Sequence, residues 1–136
     1  MTGVWQHAVY ELAVWESVPW LSPRLQRSID DPRCRVRAVS RIDDVFPKPA
    51  EIEERLVLLV PGAELSRLIS WCGRHGAELR EERIWVFLDD PASPLAWTLL
   101  ELGIRMIHQR FGEPYAIEDS CREWLHRALL RSQSSA

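Results

Sequence analysis

The chain has 136 residues, 46% of them apolar, and a formal net charge of −3. This length fits one domain, which buries roughly two-thirds of its unfolded surface and needs no disulfide staples. The acidic balance disfavours a nucleic-acid partner, which calls for a concentrated basic face.

Ala8 to Trp15 (AVYELAVW) is mostly apolar and β-prone, and predicts a central strand buried on both faces. Pro19 and Pro23 punctuate the start of a helix, with Ser22 as N-cap and Pro23 at its first position. Leu21, Leu25 and Ile29 recur every four residues on one face of it, and Asp30-Asp31-Pro32 ends it. Arg33 to Ile42 (RCRVRAVSRI) alternates arginine with Cys34, Val36 and Ala38, the period of a strand with one apolar and one charged face. Such a strand suits a sheet edge, where charge deters edge-to-edge pairing. Asp43 to Arg55 holds Pro47 and Pro49 and predicts a loop with one or two helical turns at most.

Leu56 to Val60 (LVLLV) predicts a buried strand closed by Pro61-Gly62. A helix follows over Ala63 to His75, with Leu65, Leu68, Ile69 and Cys72 as its stripe and Gly76 as its terminating glycine. Arg83 to Asp89 predicts another buried strand. Ser93-Pro94 opens a helix with Leu95, Leu99 and Leu102 on one face and Gly103 near its end. Ile104 to His108 makes a short last strand, and Glu113-Pro114 turns the chain. Ile117, Cys121, Trp124, Leu125 and Ala128 form the apolar face of a final helix ending near Leu130.

Buried strands alternating with amphipathic helices imply a parallel sheet covered on both faces. Five strands in this order fit the flavodoxin-like doubly wound plan, strand order 2-1-3-4-5, with a shortened second helix. Residues 1–7 are expected to form a flexible N-terminus, 8–131 the α/β domain and 132–136 a disordered tail.

No apolar run exceeds five residues, whereas a membrane helix needs about 20. Met1 to Tyr10 lacks the basic start and apolar stretch of a signal peptide. Three widely spaced cysteines without a CxxC agree with a reducing compartment, so a cytoplasmic location is expected.

In a doubly wound sheet, ligands bind beyond the carboxyl ends of the strands. The residues there are Trp15, Glu16 and Ser17, then Val60 and Pro61, then Leu88, Asp89 and Asp90, then His108 to Arg110. In element order and spacing over Ala8 to Leu130 the chain resembles the receiver domain of bacterial response regulators. LVLLVPG at Leu56–Gly62 is similar to the family's third strand and following loop, and Gly103-Ile104 to its turn before the fifth strand. The resemblance implies an acidic pair after the first strand to hold magnesium, where Trp15-Glu16 leaves only Glu16. It implies a phosphate-accepting aspartate at the end of the third strand, where Val60 stands. It implies Ser or Thr near Leu88 or Asp89, and a lysine where only Arg110 supplies a cation. Aspartyl phosphorylation needs a carboxylate nucleophile, acidic ligands for a hard cation and a counter-charge for the phosphate. Valine is no nucleophile, and Leu56 to Ala63 contains no aspartate. The resemblance therefore implies a pseudo-receiver: a non-catalytic, phosphorylation-independent module that binds a protein.

Other patterns compete with this reading. Glu16, Asp89 and Asp90 are acidic enough for a divalent cation, but Asp89-Asp90 before Pro91 is a natural turn and helix start, so no metal is expected. Cys72, His75, Cys121 and His126 are zinc-ligand types, but they belong to helices on opposite faces of the predicted sheet. No GxSxG, GxGxxG or GxxxxGK[ST] is present, so neither an enzyme nor a cofactor is expected. A small flavodoxin-like enzyme or ligand-binding domain using Glu16, Ser17 and Asp89 stays open as the alternative. Arg33, Arg35, Arg37 and Arg41 are expected to be a solvated edge. Trp97, off the inner stripe of its helix, and Trp124 are candidate interface residues for a protein partner or a homodimer through the fourth helix, fifth strand and fifth helix.

Overall fold

Each apolar run of the sequence becomes one strand of a single parallel sheet. The computed structural model describes residues 8–46, 48–90, 92–109 and 116–134. Its strands are β1 (Tyr10–Glu16), β2 (Cys34–Val39), β3 (Glu54–Val60), β4 (Arg83–Leu88) and β5 (Met106–Gln109). Its helices are α1 (Leu21–Ser28), α2 (Leu65–Arg74), α3 (Gly76–Glu81), α4 (Pro94–Glu101) and α5 (Ala116–Ser134). The strand order is β2-β1-β3-β4-β5, all pairings parallel, which is the flavodoxin-like doubly wound arrangement. The second helix is reduced to a 3₁₀ turn at Ile42–Asp44. Among the described residues, no helix is long and apolar enough to cross a membrane.

Side chains alternate across the sheet and build two cores. Leu12, Val14, Leu56, Leu58, Val60 and Phe87 pack under α1 and α5 with Leu21, Leu25, Cys121 and Trp124. Ala13, Trp15, Val57, Leu59 and Val86 pack under α2, α3 and α4 with Leu68, Trp71, Leu79 and Leu99. Each fully buried large aliphatic contributes about 1.5–3 kcal/mol. The continuous apolar runs of β1, β3 and β4 follow from this two-sided burial.

Several boundaries differ from the sequence reading, each for a local reason. α1 starts at Leu21, and Ser22 is buried inside it without capping it. Gly76 opens α3 and lacks the left-handed backbone of a terminating glycine. The positive φ values fall at Gly62 (54°), in the turn leaving β3, and Gly103 (115°), before β5. α4 is capped by Ser93, whose Oγ accepts from Leu95 N–H, with Pro94 in its first turn as expected. Its inner face is Ala96 and Leu99, however, and Leu95 turns outward, 42% exposed. The apolar stripe of α5 is buried as predicted, but the helix runs to Ser134, so residues 132–134 are helical and not a loose tail.

The largest correction concerns β2. It is an edge strand, yet its arginines are not solvated as a row. Glu11, in the middle of β1, is 0% exposed and sits directly opposite Arg35 of β2 and Arg55 of β3. Its carboxylate lies 2.8 Å from Arg35 Nε, 3.2 Å from Arg37 Nε and 3.9 Å from an Arg55 guanidinium nitrogen. Arg55 is itself buried, binds Glu82 through two 3.0 Å hydrogen bonds, and donates to the Val45 carbonyl at 2.7 Å. Burying a carboxylate demands partners, and these arginines supply them. Arg33 pairs with Asp31 on the surface, where the guanidinium beside it lowers the Asp31 carboxyl pKa.

Candidate functional site

The carboxyl ends of β1, β3 and β4 hold the residues that a ligand site of a doubly wound sheet would use. Glu16 and Val60 are opposite one another in adjacent strands, and Ser17 N–H donates to the Val60 carbonyl at 3.4 Å. The Val60 side chain points into the core under α1 and α5 and is 1% exposed. Trp15 is buried on the other face of the sheet. The end of β3 therefore presents an aliphatic group turned inward, and Pro61 and Gly62 lead the chain away into a 3₁₀ turn.

Both carboxylate oxygens of Glu16 are engaged. One oxygen accepts from Trp20 N–H at 3.0 Å and Leu21 N–H at 2.7 Å, and the other accepts from Ser22 N–H at 2.9 Å. These amides begin α1, whose own N-cap position, Trp20, supplies no side-chain cap. A helix start leaves its first N–H groups unpaired and carries partial positive charge, and both are met here by one carboxylate from the preceding strand. The acid that the sequence offered as a metal ligand is the cap of α1. Glu16→Gln keeps one acceptor oxygen and loses the charge; it is expected to lower stability by about 1 kcal/mol, and Glu16→Ala by about 2 kcal/mol, read from urea unfolding midpoints. Equal midpoints for Glu16→Ala and the parent chain would show that the cap is dispensable.

Asp89 and Asp90 lie exposed beyond β4. The Asp90 carboxylate accepts from Ala92 N–H at 3.0 Å and its carbonyl from Ser93 N–H at 3.1 Å, so it forms the turn that starts α4. β3 lies between β1 and β4, which separates the backbones of Glu16 and Asp89 by roughly 10 Å. Ser17 is exposed next to Glu16. His108 packs on Phe87, with ring centroids 5.1 Å apart, and on Trp85 at 5.3 Å, and burial lowers its imidazole pKa. Arg110 and Pro91 lie outside the described residues.

The zinc pattern is divided between the two cores. Cys72 packs under α2 and Cys121 under α5, on opposite faces of the sheet. His75 meets Glu78 at 3.4 Å, and His126 is on the surface. Burial pushes the thiols of Cys34, Cys72 and Cys121 each up to about 12. No group of three or more His, Cys, Asp or Glu gathers in metal-binding geometry among the described residues.

The two candidate interface tryptophans separate sharply. Trp124 is 4% exposed and belongs to the core under α5, since it shares that helix's inner stripe with Cys121 and Leu125. Trp97 is 68% exposed, one turn before the half-exposed Leu100. Between α4 and β5 these two residues, with Ala92, Ala96 and Ile107, line a shallow cavity of about 400 Å³. Sequence reasoning missed Glu11 and its arginines; the signal was an acid in the middle of an otherwise apolar strand.

Sheet, crossover helices and carboxyl-end geometry define a flavodoxin-like α/β domain whose switch-point acid is tied up in its own fold. Among solved structures, the chain is similar to a Burkholderia pseudomallei K96243 protein described as pilus assembly-related. That match has 15% identity and a TM-score of 0.52, and covers 85% of this chain and 89% of the other. The likeness is one of fold. No protein-family model and no curated protein matches the chain.

Proposed function

We propose that the chain is a non-catalytic, receiver-like interaction module that works without phosphorylation. The observation that carries this reading is the engagement of both Glu16 oxygens by the start of α1, beside a Val60 turned into the core. A phosphoryl switch needs a free acid at the first position and a carboxylate at the second. The enzyme alternative would use Glu16 as ligand or base, and that carboxylate already accepts three backbone amides of α1. The structural neighbour's description as pilus assembly-related accords with a module that joins other proteins. Three unpaired cysteines suit a reducing compartment, and the proposal places the chain in the cytoplasm.

The docking surface proposed is the α4–β5–α5 side, with Trp97 as its anchor and a second copy of the chain as the partner tested first. An exposed Trp beside an apolar cavity has the character of an interface hot spot. Light scattering after size exclusion is expected to show a concentration-dependent dimer. Trp97→Glu is expected to weaken it by roughly 30-fold or more. A parent chain that stays monomeric at high concentration would remove self-association from the proposal.

A further inference from the structure

β5 closes the sheet on one side. Among the described residues Met106–Gln109 pair with β4 alone, so their outward main-chain groups have no strand partner. An edge of this kind is a template for another strand. Two cavities open beside it. One, of about 330 Å³ at the amino ends of β4 and β5, has Arg80, Arg83 and Arg105 on its walls with Leu79, Ile84 and Met106 among its apolar lining. The other, of about 220 Å³, shares Arg83, Trp85 and Met106 with the first and continues between β5 and α5 to His108 and Trp124. Met106 is 43% exposed where the two meet.

Arginines without carboxylate partners among the described residues gather at this edge. Arg80, Arg83 and Arg105 make no ion pair or hydrogen bond among the described residues, whereas Arg33, Arg35, Arg37 and Arg55 are all paired with carboxylates. Of the two acids on the first cavity, Glu82 is taken by Arg55, which leaves Glu81 against three guanidiniums. This is a local positive excess on a chain of net charge −3. Guanidiniums recognise carboxylates in two-pronged geometry, and this cavity holds fewer carboxylates than its arginines can pair with.

We propose that the β5 edge receives an extended acidic segment of a partner protein, which adds to the sheet as a sixth strand and sets its carboxylates on Arg83 and Arg105. Main-chain pairing supplies affinity, and the flanking cavities take alternate side chains. A second copy of the chain does not fit this role: its own edge reads Arg105-Met106-Ile107-His108-Gln109 and brings no acid. The inference rests on the interaction-module reading but uses the open edge of β5 and its arginines, not the Trp97 cavity on the same side of the molecule.

The test uses the full chain and a short synthetic peptide alternating Val or Thr with Glu, alongside a matched peptide with Lys in place of Glu. Fluorescence anisotropy is expected to show binding of the Glu peptide alone, weakening at least about tenfold between low and physiological salt. Amides of Met106–Gln109 are expected to gain protection from hydrogen exchange. Arg83→Glu with Arg105→Glu is expected to lose at least about tenfold in affinity while keeping the parent unfolding midpoint, as both side chains are exposed. If that pair fails to fold, Arg83→Gln with Arg105→Gln takes its place. Equal binding of the two peptides, indifference to the arginine changes, or protection arising away from β5 would overturn the inference. Trp97→Glu is expected to leave peptide affinity unchanged; loss of binding there would move the site to α4 and sink the edge proposal. A monomeric chain that still binds the Glu peptide supports the edge site and costs only the self-association.

Discussion

Glu11→Ala is expected to destabilise the domain by about 3–5 kcal/mol, measured as a shift in the urea unfolding midpoint. The magnitude follows from burial. Glu11 is 0% exposed, and removing it leaves Arg35, Arg37 and the buried Arg55 with one fewer counter-charge across three strands. Attraction between surface charges would be worth at most about 1 kcal/mol; here the penalty comes mainly from the buried Arg55, which is left with Glu82 alone, while Arg35 and Arg37 are part-exposed. Glu11→Gln keeps the shape and some acceptor capacity and is expected to fall between parent and alanine. Joint replacement of Glu11 and Arg55 by leucine is expected to recover part of the loss, because an apolar pair leaves fewer charges stranded. Glu82 loses its partner in that variant, but it is only part-buried and can be hydrated. A midpoint for Glu11→Ala within about 1 kcal/mol of the parent would mean that the arginines simply hydrate, and the network is not what fastens β2 to the sheet.

Val60→Asp is expected to cost at least about 3 kcal/mol and to confer no phosphorylation. The position is 1% exposed among Val14, Leu58 and other residues of the α1–α5 core, so a carboxyl there is held neutral. Its folded pKa rises above the unfolded value of about 3.9. The unfolded chain then gives up its proton first as pH rises, binds fewer protons than the folded chain, and stability falls from about pH 4 upward until the folded group ionises. Acetyl phosphate with magnesium is expected to leave no acid-labile adduct on either the parent or the variant, since Glu16 is engaged by α1. A stable adduct on the parent chain would sink the pseudo-receiver reading; a variant as stable as the parent, with the same pH profile, would show that position 60 reaches water.

The fold was legible because two-sided burial writes itself into sequence as unbroken apolar runs. Leu56–Val60 and Ile84–Leu88 cannot be half-solvated strands, and the interrupted pattern of β2 marks it as an edge. What was not legible depends on contacts distant in sequence. The arginines of β2 have strand periodicity whether they face water or Glu11, and only the β1–β2 register decides which. The cap of α1 comes from a strand residue four to six positions upstream, outside the local pattern by which capping residues are recognised. Leu95 and Ala96 exchange places relative to the sequence reading because the rotation of a helix about its axis is set by its tertiary neighbours, which periodicity alone does not record. At the candidate site, the absence of a nucleophile at Val60 was readable from one letter; the occupation of Glu16 was not.

The connection between β2 and β3 has no full helix, yet it is fastened like one. Arg37 and Arg55 both donate to the Val45 carbonyl, at 3.5 and 2.7 Å, and Phe46 stacks on Trp71 with the rings 5.3 Å apart and 11° from parallel. Ile42 and Val45 complete the core beneath it. Guanidiniums from two strands thus do for this segment what intrahelical amides would have done: they satisfy its carbonyls while its apolar side chains close the sheet. Sequence in this stretch is consequently constrained by residues that lie outside it. The loop and the strand arginines form one unit, so a change in its length would have to be matched at Arg37 and Arg55 or take away the Asp44 and Val45 carbonyls to which they donate.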